Sequence, residues 1–211
     1  MGKATKGILG AVSGKVGNLI FYNLNGTDCV RTIGTRHAAL TSGERLNLSK
    51  ISLLMGVFKR IKPFLKMGFG PAASGTNQNY HNVATAYNRT HAIRVVADKA
   101  EIDYAKLVLS IGDATPPRDS AINLSPGALT FTWAFDLLKD WASRSDQVMM
   151  MAMFPDDDLA IYEQAGAKRS AGIDVLQLPM SYHQRHIEVY ISFISSDRQS
   201  VCRSIYLGSF N

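Results

Sequence analysis

At 211 residues with 46% hydrophobic content, the chain has enough apolar material to bury a core as one domain or two. No stretch approaches the roughly 18 consecutive apolar residues of a membrane span, and Met1-Gly2-Lys3 leads into glycine-broken polar sequence without the apolar core of a secretory signal. The net charge of +6 is unevenly spread: residues 1–66 hold 11 Lys+Arg against Asp28 and Glu44, whereas the remainder holds 12 against 15 acidic residues. Ends of opposite sign meet a polyanion, or each other on separate copies.

Gly2 is followed by Lys6 where a myristoylation signal wants Ser or Thr, so a lipid anchor is not expected. Cys29 and Cys202 fall in separate predicted strands and are read as reduced side chains. The Asn-x-Ser/Thr triplets at Asn25, Asn47, Asn88 and Asn123 are read as chance matches without export. A cytoplasmic or virion-associated location is expected.

From Gly2 to Arg36 the glycine density, with Gly7, Gly10, Gly14 and Gly17 in close succession, disfavours a helix, since each interior glycine costs roughly 1 kcal/mol against alanine. Leu19 to Leu24, the turn at Asn23 to Gly26 and the β-branched run from Thr27 to Ile33 predict a β-hairpin. A lone hairpin is marginal in water, so its apolar residues need a surface on this chain or a neighbour's. Thr41-Ser42-Gly43-Glu44 has the form of a capping box and predicts a helix over 43–61, with Leu54, Val57, Phe58 and Ile61 on one face. Pro63 is expected to end or kink it, and residues 67–75 to be a loop. A second helix is expected over 77–95, lined by Tyr80, Val83, Ala84, Tyr87 and His91; His81 and His91 are not at ligand spacing.

Beyond Glu101 the pattern alternates. Strands are expected at 102–111, 121–124, 129–133, 148–154, 159–163, 172–178, 185–194 and 200–207, with a helical turn around Leu137, Leu138 and Trp141. This organisation predicts an α+β protein: residues 1–100 forming a Gly-rich arm, β-hairpin and two-helix unit, and residues 101–211 an antiparallel β-sandwich of immunoglobulin or fibronectin type III kind. Trp133 and Tyr190 suit the fibronectin variant by analogy.

No nucleophile elbow, HExxH, P-loop, CxxC pair or dinucleotide fingerprint is present, so no catalytic residue, metal ligand or cofactor is assigned. Met149, Met150, Met151 and Met153 are read as core filler, and Asp156-Asp157-Asp158, lacking the offsets of a calcium loop, as a solvated turn. His183 and His186, with Arg185 between them, are the nearest to chemistry in the second half, and in a strand His186 and Glu188 share a face.

The run GILGAVSGKVGNLIFY followed by NGTDCVRT resembles the opening of an uncharacterised family of small proteins from Bacteroidota, which begin with a GILGGFSGKVG-type segment and an Asn-Gly turn. Gly7, Ile8, Leu9, Gly10, Ser13, Gly14, Lys15, Val16, Gly17, Gly26 and Arg31 carry the match, which extends through YISFIS at 190–195. The family's Pro-rich segment is replaced here by 35–45, without proline. A looser similarity links the pattern to short phage-associated proteins. The resemblance brings kinship and no functional residue.

The function expected from these features is a non-enzymatic structural protein, a homo-oligomer that self-associates through its N-terminal arm and helices as a filament or virion-associated subunit. Ile8, Leu9, Val16, Leu19 and Phe21 are the candidate self-association residues. The alternative is nucleic-acid binding through Lys3, Lys6, Lys15, Arg31, Arg36, Lys59, Arg60, Lys62 and Lys66, with Tyr22 as a stacking group.

Overall fold

The computed structural model describes the backbone of residues 2–3 together with residues 13–24, 26–35, 38–182 and 184–211. Two compact units divide the chain, Met1–Ser42 and Gly43–Asn211. In the first, β1 (Gly2–Lys3), β2 (Gly14–Val16), β3 (Leu19–Leu24) and β4 (Thr27–Thr32) form an antiparallel sheet in the order β1-β4-β3-β2. β3 and β4 are the expected hairpin, with Leu24 opposite Thr27 and Gly26 at φ +81, the left-handed backbone that such a turn requires. The Gly26 N–H donates to Asn23 Oδ1 and Asn23 Nδ2 to Asp28 Oδ1, both at 2.8 Å. Asn25, the other turn residue, lies outside the described residues. Gly2 pairs with Val30 and Lys3 with Cys29, so the start of the chain adds a strand to β4. Among the described side chains of this unit only Cys29 is buried.

The second unit opens on α1 (Ser42–Arg60), whose first turn carries Glu44 and whose last carries Lys59 and Arg60, both favourable to the helix dipole. Ile61 interrupts the helix, which restarts as α2 (Lys62–Ala73) with Pro63 in its first turn, where the missing N–H costs nothing. Residues 67–73, expected as loop, are therefore helical, because Phe64, Leu65, Gly68 and Phe69 bury one continuous face. Gly68 is needed for that packing: a Cβ there would lie 2.2 Å from Leu109 O. α3 (Tyr80–His91) starts later than expected, where Asn79 Oδ1 caps the Asn82 N–H at 2.8 Å. It also stops earlier, because 93–102 folds as a second hairpin, β5 (Ile93–Val96) with β6 (Lys99–Ile102), turning through Ala97 and Asp98 at φ +47 and +63.

Residues 103–111, expected as most of a strand, are a short 3-10 turn at Tyr104–Lys106 and a buried connector. Among the described residues the connector joins no sheet, and side chains together with backbone groups of α2 and of Ser204 satisfy its backbone instead. Asn88 Oδ1 accepts from the Val108 N–H and Asn88 Nδ2 donates to Val108 O, each at 2.8 Å. Ser204 Oγ accepts from the Leu109 N–H at 2.8 Å, and the Ile111 N–H donates to Gly68 O at 3.0 Å.

Then come β7 (Arg118–Ser125), β8 (Ala128–Ala134), β9 (Gln147–Phe154), β10 (Leu159–Glu163), β11 (Ile173–Gln177), β12 (Ile187–Ile194) and β13 (Ile205–Phe210), all paired antiparallel. They make a four-stranded sheet, β10-β9-β12-β13, and a three-stranded sheet, β11-β8-β7. The fold is α+β. Val148, Met150, Ala152 and Phe154 of β9, with Val189, Ile191 and Phe193 of β12, share a core with Leu129, Phe131 and Trp133 of β8. The alternate residues Met149, Met151, Met153 and Tyr190 point the other way, into a second core with Leu54, Phe58, Phe64 and Phe69 of the helices. Helices and both sheets thus contribute to one compact unit, Gly43–Asn211.

Replacing Gly68 by alanine should lower stability by about 1–3 kcal/mol, because the connector must move. Gly56→Ala, in α1 with nothing within 4 Å of the new Cβ, should instead be neutral or stabilising by up to about 1 kcal/mol. Chemical denaturation of the two variants checks the contrast; equal behaviour would contradict the packing described.

Candidate functional site

The sequence-derived residues fall into three places. Of the self-association set, Val16 and Leu19 are exposed on β2 and β3, Phe21 is half-buried, and Ile8 and Leu9 lie outside the described residues. Of the basic set, Lys15 and Arg31 are exposed on the first sheet; Lys6 and Arg36 lie outside the described residues, and Lys3 is described by its backbone alone. Lys59, Lys62 and Lys66 are exposed along α1 and α2, whereas Arg60 is half-buried and ion-paired with Asp158. The two groups of cations thus belong to different units.

The third place is the polar cluster around His186, just before β12. Asp156-Asp157-Asp158 follows β9, and its carboxylates diverge to three different side chains instead of converging on one point. Asp158 meets Arg60, Asp157 meets Arg185 at 3.6 Å, and Asp156 meets His186 Nδ1 at 3.4 Å. Among the described residues no group of three or more His, Cys, Asp and Glu side chains could hold a metal ion. His183 lies outside the described residues.

The expected shared face of His186 and Glu188 is present: His186 Nε2 lies 3.1 Å from Glu188 Oε1 and 3.0 Å from Ser209 Oγ. A serine at Nε2 and a carboxylate at Nδ1 outline a nucleophile relay. Yet Nε2 is shared with Glu188, and neither His186 nor Ser209 lines the cavities of about 570 and 450 Å³, the first of which is bounded by Tyr87, His91, Arg203 and, from this cluster, Tyr206, and the second by Pro63, Met67 and Arg198. Glu188 is buried, and its second oxygen accepts from Tyr206 Oη at 2.6 Å. These groups satisfy one another, as a carboxylate on a doubly covered sheet requires.

Burial, reinforced by the hydrogen bond to Glu188 and its charge, pushes the Tyr206 hydroxyl well above its ordinary value. Burial first and the Glu188 charge second also raise Tyr104 and Tyr190, and Tyr190 Oη donates to Tyr104 O at 2.7 Å.

Arg169 was given no role from its sequence, since it sits in a polar connection without periodicity. It is buried, with Nη2 donating to Thr115 O at 2.6 Å and its guanidinium 4.0 Å over the Phe193 ring. Trp133 Nε1 donates to Arg169 O at 2.7 Å, so one residue ties the Pro116-Pro117 loop to the core between the two sheets. Burial lowers the Arg169 pKa, while Asp146, 3.7 Å away, opposes that shift.

A family model described as "Family of unknown function (DUF6266)" matches residues 11–208. No curated protein matches the chain.

Unfolded tyrosine ionises near pH 10, and a folded-state pKa above that means stability is full below about pH 10 and is lost as pH rises through the folded value. Thermal stability should therefore fall steeply above about pH 10. In an ultraviolet titration of the folded protein, Tyr104, Tyr190 and Tyr206 should ionise later than free tyrosine. Tyr206→Phe should leave Glu188 short of a donor, costing about 1–3 kcal/mol, and reduce the late-titrating set by one. Ionisation of Tyr104, Tyr190 and Tyr206 near pH 10 with the fold intact would contradict this assignment.

Proposed function

This chain belongs to DUF6266, a family of unknown function, and from that premise we propose that it is a non-enzymatic structural protein that self-associates through its N-terminal sheet. The observation that carries the reading is the sheet's lack of an interior. Four strands bury only Cys29 among their described side chains, while Val16, Leu19 and Leu24 are left exposed. A sheet of this kind gains most of its stability from a further surface.

The pairing of Gly2 and Lys3 with β4 supplies a route. Whatever backbone hydrogen bonds the start of one chain makes to its own β4, it can make equally to that of a neighbour, which is strand exchange between copies. Repeated without closing, such exchange makes a filament, and the resemblance of the opening segment to phage-associated proteins favours a virion-associated subunit of bacterial, Bacteroidota-type origin. The second unit is read as an immunoglobulin/fibronectin III-like sandwich. Supporting this, the sheet orders β7-β8-β11 and β10-β9-β12-β13 are the A-B-E and C′-C-F-G arrangement when the seven strands are lettered in sequence. Such sandwiches commonly act as adhesive or structural modules.

Nucleic-acid binding is the second reading, favoured by the exposed Lys59, Lys62 and Lys66, none of which has an ion-pair partner among the described residues.

Deleting Met1 to Val16 should leave the second unit folded, with an unchanged principal thermal transition, while light scattering falls from an oligomer to a monomer. An oligomer of unaltered mass would sink strand exchange. Reversing Lys59, Lys62 and Lys66 to glutamate should leave that mass as it was; if nucleic acid is the partner, it should also weaken binding and flatten its dependence on salt.

A further inference from the structure

The connection between β8 and β9, residues 135–146, carries a concentration of apolar surface that neither core uses. Leu138 is 94% exposed, Leu137 63% and Trp141 56%. A side chain as bare as Leu138 touches almost nothing of its own chain, so these three form a projecting tip. The tip is ordered from below. Asp140 is buried, pairs with Arg118, and accepts the Asp136 N–H at 2.8 Å. Asp136 Oδ1 accepts the Leu138 N–H at 2.9 Å, and Asp136 O accepts the Asp140 N–H at 2.7 Å. The Ser143 N–H donates to Asp140 O at 3.1 Å.

We propose that this tip inserts into the surface of an anionic lipid bilayer. Three observations support lipid as the occupant. Much of the loop's backbone is hydrogen-bonded within the loop, so that it can enter an apolar medium without leaving those groups unpaired. The apolar residues project instead of lining a recess. The charges favour the same reading: the Asp140 carboxylate faces inward, Asp136 is held by Lys139 at 3.7 Å, and the most exposed charged side chains of the loop are Lys139 and Arg144. The Arg144 guanidinium lies 3.9 Å over the Trp141 ring and its Nη1 donates to Trp141 O at 2.7 Å, placing a cation and an indole side by side at the level of the headgroups. This is surface attachment; no helix among the described residues is long and apolar enough to cross a membrane.

The protein has two tryptophans, and Trp133 is buried in the core between the two sheets, so a change in emission on binding reports Trp141. The full chain is mixed with vesicles of phosphatidylcholine alone, or of phosphatidylcholine and phosphatidylglycerol at three parts to one. With the mixed vesicles, emission should shift to the blue, acrylamide quenching should fall, and both effects should weaken at high salt. Leu138→Asp, at a position too exposed to affect folding, should keep the thermal transition and lower vesicle partition about tenfold or more. Trp141→Phe should still sediment with the vesicles but give no shift. No response to the mixed vesicles would overturn the proposal. So would a blue shift that grows with protein concentration without lipid and disappears in Leu138→Asp, since the tip would then be covered by a second copy. Neither result depends on the N-terminal sheet, so strand exchange is tested separately.

Discussion

Burial of β9 and β12 on both faces is the constraint on which the second unit depends. An antiparallel sheet normally keeps one face wet, but here every residue from Val148 to Phe154 and from Ile187 to Ile194 is buried. Two layers must therefore cover it, the three-stranded sheet on one side and α1 to α3 with the connector on the other. Methionine suits this position because an unbranched, polarizable side chain fits between a helix surface and a sheet without demanding one shape. Polar residues on the doubly covered strands have to be answered locally: Glu188 by Tyr206, and Ser192 by Ser110 at 2.7 Å between their Oγ atoms. The connector from Leu107 to Ile111 is drawn into the interior for the same reason, and Asn88 and Ser204 supply the partners its backbone would otherwise lack.

What was legible in the sequence were features with a local cause. The β3–β4 hairpin follows from Asn25-Gly26, and β8 from the strict alternation of Leu129, Phe131 and Trp133. β9 was expected as a strand with its methionines as core filler, though only the helix packing explains why both of its faces are buried. The failures are cases where tertiary contact overrides a local signal. Glycines and Pro71 mark residues 67–73 as loop, yet Gly68 is there to let the connector pass over a helix. Ala97-Asp98 makes a tight turn without the glycine that would have announced it, and Leu107 to Ile111 alternates like a strand but joins no sheet among the described residues. Arg169 and Asn88 could not have been singled out, because their roles depend on partners 20 to 54 residues away.

The His186 cluster shows how a correct local reading can leave function open. Its pairing with Glu188 follows from strand periodicity, and the acidic turn before β10 lies close by because β10-β9-β12 are neighbours in one sheet. Surface ion pairs of the Asp156–Asp158 kind contribute roughly 0–1 kcal/mol each, so their service is to register one element against another more than to stabilise it. Exposed apolar residues also occur singly elsewhere, as at Leu48 and Met180, but the readings of assembly and of lipid attachment rest on those of the first sheet and of the 135–146 loop.

The central claim is that the second unit is self-sufficient while the first sheet is completed from outside. Hydrogen exchange of the intact protein over a range of concentrations tests it most directly. The account predicts that β9 and β12 amides exchange slowest and with rates independent of concentration, whereas β3 and β4 exchange fast in dilute solution and gain protection as concentration rises. Equal, concentration-independent protection of β3, β4, β9 and β12 would contradict it.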